Sequence, residues 1–286
     1  MGISAWKGLA IATIALAAFG CGGLNDRLRV NTNSSEANSE QAPPKTENVH
    51  LAFGNPSNAT SVAANETNFL VVGEGSVFSY NNSRGSANWV SWRTTREDLG
   101  RSIPRPDFRP DPRLPKWFNR IGYYDYSGSG FDRGHLVPSA DRFANPRLNE
   151  ETFIMSNIVP QTGALNQYPW NKFEMYIRSQ ARRMDVYQIA GCYGDASRLK
   201  HKITVPTNCW KVAMFVPRGR GADKIDGRTR IIAVDMPNIG GIENDSWGKY
   251  RTTIREIEEK TALDLFSQHP RELQDSVETR RELVSP

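Results

Sequence analysis

The sequence predicts one α+β domain in which helices flank a mixed or antiparallel central sheet. Short runs rich in β-branched and aromatic residues alternate with turn residues, a pattern typical of strands. Two other segments carry apolar residues three and four positions apart, the period of an amphipathic helix. The chain of 286 residues contains no internal repeat, so a single mixed domain accounts for both patterns.

The predicted strands are spread along the chain. They cover residues 69–72, 77–80, 87–93, 152–159, 186–193, 202–205, 210–216 and 229–236. The first predicted helix carries one apolar stripe, formed by Trp170, Phe173, Ile177, Ala181 and Met184. Pro169 suits the first turn of this helix, where a missing backbone N–H leaves no bond unmade. The second predicted helix carries the apolar residues Ile254, Ile257 and Leu263, with Thr253 at its start.

The N-terminus has the pattern of an export signal. Lys7 precedes an apolar stretch at 9–19, which has the length of a signal-peptide core and is shorter than the roughly 20 residues of a membrane span. Gly20 and Cys21 follow, and a small residue before cysteine is typical of a bacterial lipoprotein signal. We predict a signal peptide at 1–21, a lipid on Cys21, and export to the periplasm, cell surface or medium. Secretion without lipid and retention of the uncleaved segment stay open.

The composition changes after the signal. Residues 22–47 are rich in Ser, Asn, Glu, Thr and Pro, and they hold too few apolar side chains to offset the entropy of ordering them. We predict a flexible linker here, a folded domain at 48–276 and a C-terminal tail at 277–286. Cys192 and Cys209 lie in the domain, where a disulfide and two unpaired cysteines on neighbouring strands both fit the sequence.

Charge gives a weak indication of the partner. The formal net charge of +5 and the pI of about 9.1 favour an anionic partner such as nucleic acid. A mildly basic surface also serves solubility, so the charge alone does not separate the two explanations.

The reactive side chains lie in two short segments. His135 follows Asp132, Arg133 and Gly134, and the glycine lets the backbone bend and a substrate approach. A lone histidine is usually without a catalytic role, but buried charges of both signs beside it require partners or a purpose.

The second segment lies in and before the first predicted helix. Glu174 and Arg178 are four residues apart at the edge of its apolar stripe, where an ordinary salt bridge would contribute about 0.3 to 0.5 kcal/mol. Asn166, taken alone, is explained as a helix cap or turn residue. A strand with His135, a returning strand and then this helix would bring all three side chains into one crevice.

These residues occur together in a pattern that resembles the DNA/RNA non-specific endonucleases, whose active site is a ββα-metal, or His-Me, finger. The resemblance is carried by residues 87–90, 132–135, 156–161, 165–167 and 210–212, together with Trp170 and Glu174. It covers most of the chain from about 50 to 267 and is closest in type to the secreted sugar-non-specific nucleases of bacteria. It implies a ββα-metal finger within the α+β domain.

The resemblance also implies a role for each residue. His135 would be the general base that takes a proton from the attacking water, because an imidazole titrates near working pH. Asn166 would be the one direct protein ligand of a hydrated Mg²⁺, for which Mn²⁺ is an alternative ion. Glu174 would orient a water molecule in the hydration shell of that ion. Asp132 would support the hairpin or the histidine, as would Asn157.

Arginines would bind the phosphate. The resemblance assigns this role to Arg133 and Arg178, whose guanidinium groups would also stabilise the transition state. A further arginine is expected upstream, and Arg105 is the candidate, with Arg101 and Arg109 as alternatives.

The implied function is Mg²⁺-dependent hydrolysis of phosphodiester bonds in DNA and RNA to products with a 5′-phosphate. The alternative is an exported nucleic-acid-binding lipoprotein without catalysis, which would need basic loops but not the set of His135, Asn166 and Glu174. The partners implied are DNA and RNA as substrates, a membrane through lipid on Cys21, and a protein inhibitor. The sequence leaves the oligomeric state open.

Overall fold

The computed structural model describes residues 48–282, so the predicted signal peptide at 1–21 and linker at 22–47 lie outside it. The strands are β1 (Phe69–Val72), β2 (Val77–Asn81), β3 (Ser86–Thr94), β4 (Asp132–His135), β5 (Ile158–Gln161), β6 (Met184–Tyr193), β7 (Ser197–Leu199), β8 (Ile203–Val205), β9 (Asn208–Pro217), β10 (Arg230–Pro237) and β11 (Arg251–Thr252). The helices are α1 (Pro146–Thr152), α2 (Gly163–Leu165), α3 (Asn171–Ala181), α4 (Ile254–Thr261) and α5 (Arg271–Glu278).

The centre of the domain is a seven-stranded antiparallel sheet in the order β1-β2-β3-β6-β9-β10-β11. Its strands are buried on both faces, because alternate side chains enter two separate cores. On one face Trp92 and Ala213 pack with Phe173 and Ile177 of α3. On the other face the core contains Trp89, Val212, Ile254, Ile257 and Val277, so α4 and α5 cover it. The predicted α+β class with an antiparallel central sheet is confirmed.

A separate pair of strands stands beside the sheet. β4 and β5 pair antiparallel, with Asp132 opposite Gln161 and His135 opposite Ile158. A Cβ at Gly134 would lie 2.1 Å from Oε1 of the fully buried Gln161, so the close approach of the two strands requires glycine. The chain then continues into α2 and α3, which completes a ββα unit.

The strand predicted at 152–159 is wrong over its first part. α1 ends at Thr152, a short 3₁₀ turn occupies Met155–Asn157, and β5 begins only at Ile158. The amide of Asn157 donates to the carbonyls of Thr152 and Val137 at 2.9 and 3.0 Å and accepts from Val137 N at 2.9 Å. These bonds satisfy the backbone without a strand, and the apolar residues of the segment are buried in the turn instead.

The first predicted helix begins earlier than its apolar stripe indicated. Thr162 caps α2 by accepting from Leu165 N, and a π-helical turn at Asn166–Trp170 joins α2 to α3. Asn166 therefore lies inside a helical segment and is not its cap. Pro169 lies in the π turn and not in a first turn, and Met184 belongs to β6.

Two further features bear on the boundaries and the cysteines. Cys192 and Cys209 are direct partners across β6 and β9 and form a disulfide. α5 runs to Glu278 with Val277 buried, so folded structure extends into the segment predicted as a tail from residue 277, because that turn of helix has an apolar face to bury. Within residues 48–282 no helix has the length and apolar character to cross a membrane.

Candidate active site

A pocket of about 460 Å³ opens between the ββα unit and the loop that precedes it. Its walls include His135, Asn166, Glu174, Arg178 and Arg105. Of the six residues that the sequence nominated for catalysis or metal binding, only Arg133 does not line this pocket. Strand β4, the π turn, α3 and the upstream loop each contribute side chains, so residues distant in sequence meet in one place.

His135 ends β4 and is held between two aromatic rings. The centroid of its imidazole lies 5.6 Å from that of Phe108 and 4.9 Å from that of Phe153. Burial, with a smaller contribution from the Arg105 charge, lowers the pKa of His135 to about 3, although a hydrogen bond with the Arg133 backbone acts in the opposite direction. Nε2 is buried without a hydrogen-bond partner among residues 48–282. The imidazole is therefore neutral at pH 7 in the protein without metal or substrate.

Asn166 opens the π turn and is oriented by Asp132. Its Nδ2 donates to Asp132 Oδ2 at 2.9 Å, and Gln167 Nε2 donates to the same oxygen at 2.9 Å. A carboxylate only accepts hydrogen bonds, so the amide must present its NH₂ group to Asp132. The carbonyl Oδ1 is then left for another partner. Asp132 thus determines which atom of Asn166 is available to a metal ion.

The donor groups suit a hydrated divalent ion. Residues 48–282 contain no group of three His, Cys, Asp or Glu side chains that could enclose a metal. The pocket instead offers the amide oxygen of Asn166 and the carboxylate of Glu174. Magnesium prefers oxygen ligands and keeps several of its waters, so one protein ligand and a nearby carboxylate fit it. Zinc, which prefers nitrogen and sulfur, is not matched.

Glu174 is fixed by a lysine from the central sheet. Lys211 Nζ lies 2.8 Å from Glu174 Oε1 and 3.4 Å from the carbonyl oxygen of Leu136, the residue after His135. The ammonium also lies 4.4 Å from the centroid of the Trp170 ring. The pKa of Glu174 is raised on balance, because the effect of burial exceeds the lowering by the Lys211 charge. Lys211 thus joins the strand that carries the histidine to the helix that carries the carboxylate.

Arg178 is held by Asp141 and contacts the Glu174 oxygen that does not pair with Lys211. Its Nη1 lies 3.3 Å from Asp141 Oδ1 and 3.8 Å from Glu174 Oε2. The other oxygen of Asp141 accepts hydrogen bonds at 3.0 to 3.1 Å from Trp92, Thr94 and Gln188. The salt bridge between Glu174 and Arg178 that the sequence indicated is present, but as one link in a buried network of four charges.

The arginines divide between two pockets. Arg133 lines a neighbouring pocket of about 380 Å³, and its guanidinium lies 3.9 Å from the centroid of the Tyr123 ring. Arg105 lines both pockets and lies 5.7 Å from the centroid of the Phe153 ring. Arg101 lines neither pocket, and Arg109 pairs with Glu150 at 3.6 Å. Among the three upstream candidates, Arg105 alone reaches the histidine pocket.

Sequence reasoning missed Lys211 and Asp141 as parts of the site. Lys211 had a signal, because a charged residue inside an apolar strand needs a buried partner. No feature of the sequence indicated Asp141, because it lies in a short 3₁₀ turn whose position beside β3 and β6 depends on the tertiary fold.

Comparisons with known proteins identify the family of the chain. The family model described as DNA/RNA non-specific endonuclease matches residues 53–272, which is well over half of the chain. A nuclease from Nostoc sp. is 40% identical over 248 residues, covering 84% of this chain and 90% of that protein. Nuclease C1 from Cunninghamella echinulata is 30% identical, covering 78% of this chain and 89% of that protein.

The fold is also that of a solved structure, the EndoG/EndoGI complex. The TM-score is 0.65 at 23% identity, with 78% of this chain and 92% of that chain covered. The match to the family model and the identity to the Nostoc nuclease carry the assignment, and the structural match adds the shared fold. The chain belongs to the DNA/RNA non-specific endonuclease family and is a nuclease.

Proposed function

We propose that this nuclease is a Mg²⁺-dependent endonuclease that hydrolyses DNA and RNA to products with a 5′-phosphate. One observation carries the proposal: a neutral His135, the oriented amide of Asn166 and the buried carboxylate of Glu174 line a single pocket. These are the groups that a metal-assisted attack of water on phosphorus needs.

His135 acts as the general base. A base must be unprotonated before it can take a proton, and burial keeps the imidazole neutral at working pH. The Phe108 and Phe153 rings hold it in place, so the proton acceptor is positioned before the substrate arrives.

Asn166 and Glu174 hold the metal ion. Asn166 would bind it through Oδ1, and Glu174 would orient a water molecule of its hydration shell, with Mn²⁺ able to replace Mg²⁺. When bound, the ion would supply positive charge that stabilises the transition state and the leaving 3′ oxygen. Lys211 and Asp132 keep the two oxygen donors in position.

Arginines bind the phosphates. Arg178 and Arg105 face the histidine pocket and would hold oxygens of the phosphate that is cleaved. Arg133 lies in the neighbouring pocket, where it would hold an adjacent phosphate of the same strand. Contacts to phosphate carry no sequence information, so cleavage of many sequences in both DNA and RNA follows.

The protein is proposed to act outside the cytoplasm. The pattern at 1–21 predicts export, and the disulfide between Cys192 and Cys209 supports an oxidising compartment. Cys21 is the proposed lipid attachment site. Mass spectrometry of the mature protein from a bacterial host tests this, because Cys21→Ser would remove the added lipid mass.

A protein inhibitor is a further proposed partner, since the EndoG relative was solved in complex with EndoGI.

A cleavage assay tests the proposed chemistry. Purified full-length protein with Mg²⁺ is expected to degrade plasmid DNA and RNA, and EDTA is expected to abolish both reactions. The products are expected to accept ligation at their 5′ ends without prior phosphorylation. His135→Ala is expected to bind nucleic acid without cleaving it. A folded wild type that leaves both substrates intact, or products with a 5′-hydroxyl, contradicts the proposal.

A further inference from the structure

Beside the histidine pocket lies a second pocket, in which the proposed function uses Arg133 and, where the two pockets meet, Arg105 and Asn166. It has a volume of about 380 Å³ and shares Arg105, Asn166 and Gln167 with the first pocket. His135, Glu174 and Arg178 do not line it. The second pocket therefore adjoins the first, next to the Asn166 side chain that would hold the metal ion.

The lining of this second pocket combines aromatic rings and guanidinium groups with one carboxylate, that of Asp132, which accepts hydrogen bonds from Asn166 and Gln167. Phe108 and Phe131 contribute aromatic rings, and Arg133 and Arg105 contribute guanidinium groups. Phe108 lies between the two pockets, because its ring contacts the His135 imidazole and also lies 5.7 Å from the Arg133 guanidinium. Rings that accept a base and cations that accept a phosphate are the two elements of single-strand recognition.

A pair of tyrosines outside the pocket is connected to it through Arg133. Arg133 stacks on Tyr123 at 3.9 Å and donates to its carbonyl oxygen at 2.9 Å. Tyr123 contacts Tyr124, whose ring centroid is 5.4 Å away at an angle of 89°. The two tyrosines are 47% and 78% exposed. Lys200 Nζ donates to the Tyr124 carbonyl, which places another positive charge at this edge.

We propose that the second pocket and the adjoining tyrosines form a subsite for an unpaired nucleotide next to the cleaved bond. A base in a duplex is covered by its stacked neighbours, so only an unpaired base can place its face against these rings. Arg133 and Arg105 would hold the phosphates on either side of that nucleotide. This subsite rests on the proposed function and names the form of substrate that it favours.

Binding to a cleavage-deficient protein tests the subsite. The affinity of full-length His135→Ala is measured by fluorescence anisotropy, with Mg²⁺, for a short labelled DNA single strand and for its blunt duplex. Tyr124→Ala or Phe131→Leu is then added to the His135→Ala protein. Phe131→Leu removes the ring and keeps an apolar side chain. Each addition is expected to weaken single-strand binding about tenfold. Duplex binding is expected to change less than about twofold. Trp117→Ala is the matched control, because Trp117 is 65% exposed and lines neither pocket.

Three results would overturn the subsite. Single-strand affinity could be unchanged in both variants, or affinity for both ligands could fall equally. A wild-type dimer in sedimentation that Tyr124→Ala dissociates would assign the tyrosines to contact between copies of the chain. Duplex cleavage by the wild type and by Tyr124→Ala distinguishes failure of the subsite from failure of the proposed function. Equal cleavage with unchanged single-strand binding removes only the subsite, whereas no cleavage by the wild type removes the proposed function.

Discussion

Lys211 Nζ lies 2.8 Å from Glu174 Oε1, and the two side chains are 0% and 10% exposed. Lys211 comes from the middle of the sheet and Glu174 from α3, so the pair joins the scaffold to the site. The bond to the Leu136 carbonyl extends this support to the strand of His135. Lys211 thus holds the Glu174 carboxylate in position although Lys211 itself does not line the pocket.

Lys211→Met should destabilise the protein and slow cleavage. Removing Lys211 leaves Oε1 of the buried Glu174 without its 2.8 Å partner and only the longer Arg178 contact on Oε2, which costs about 3 kcal/mol in the free energy of unfolding. Urea denaturation and a cleavage rate measure the two effects. The double variant Lys211→Met/Glu174→Gln has no unpaired charge and is expected to recover part of the stability but not the rate. Lys211→Met with unchanged stability would show that the pair is not coupled.

Asp141→Asn should reduce cleavage through Arg178. Asp141 accepts from Arg178 on one oxygen and from three donors on the other, so either orientation of an amide places NH₂ against a donor. We expect a rate about tenfold lower and a stability loss of about 1 to 3 kcal/mol. Asp275→Asn is the control, because Asp275 pairs with Arg255 on the exposed surface. Equal effects of the two substitutions would argue against the role of Asp141.

His135 should stay neutral in the folded, metal-free protein far below its ordinary pKa of 6.5. Burial lowers this pKa to about 3, so the unfolded chain binds the proton more readily than the folded one. The stability contributed by neutral His135 is present above pH 6.5 and is lost as the pH falls towards 3. NMR of the imidazole nitrogens, assigned with His135→Asn, should show a neutral ring at pH 5. A midpoint near 6.5 would contradict the buried setting.

Glu258 should make the protein less stable as the pH rises. Burial, together with the nearby Glu278 charge, raises its pKa from 4.5 to about 7. The folded state therefore favours the protonated acid, and this stability is present below pH 4.5 and is lost as the pH rises through 7. Glu258→Gln keeps an acceptor for Leu265 N and is expected to raise Tm at pH 8 by about 2 to 4 °C. The two proteins should have similar Tm values at pH 4.5.

The sequence was informative where a residue type and its neighbours carry the chemistry. His135, Asn166 and Glu174 lie in short motifs, and the apolar stripe of α3 placed Glu174 at the edge of a buried face. Short runs of β-branched and aromatic residues between turn residues also predicted most strands of the sheet. These features depend on local periodicity, which can be read without knowledge of the tertiary contacts.

The sequence did not predict contacts between residues that are far apart in the chain. Lys211 and Glu174 are 37 residues apart, and their contact depends on how β9 lies against α3. Asp141 meets Gln188 across 47 residues in the same way. The first part of the segment at 152–159 was misread as a strand because residues 153–155 form a buried apolar run. The turn at 155–157 is held by hydrogen bonds of Asn157 to Val137 and Thr152, which no periodicity reports. The start of the first helix was displaced because the π turn interrupts its regular spacing.

The dependence of the cleavage rate on Mg²⁺ tests the central claim most directly, because the two key side chains are assigned different roles. Wild type, Asn166→Ala and His135→Ala are compared on one duplex substrate over a range of Mg²⁺ concentrations. Asn166→Ala should need more Mg²⁺ to reach half of its maximal rate. His135→Ala should keep the wild-type requirement and lose at least about 100-fold in maximal rate. A wild-type rate in His135→Ala, or an unchanged rate and Mg²⁺ requirement in Asn166→Ala, would contradict the assignment.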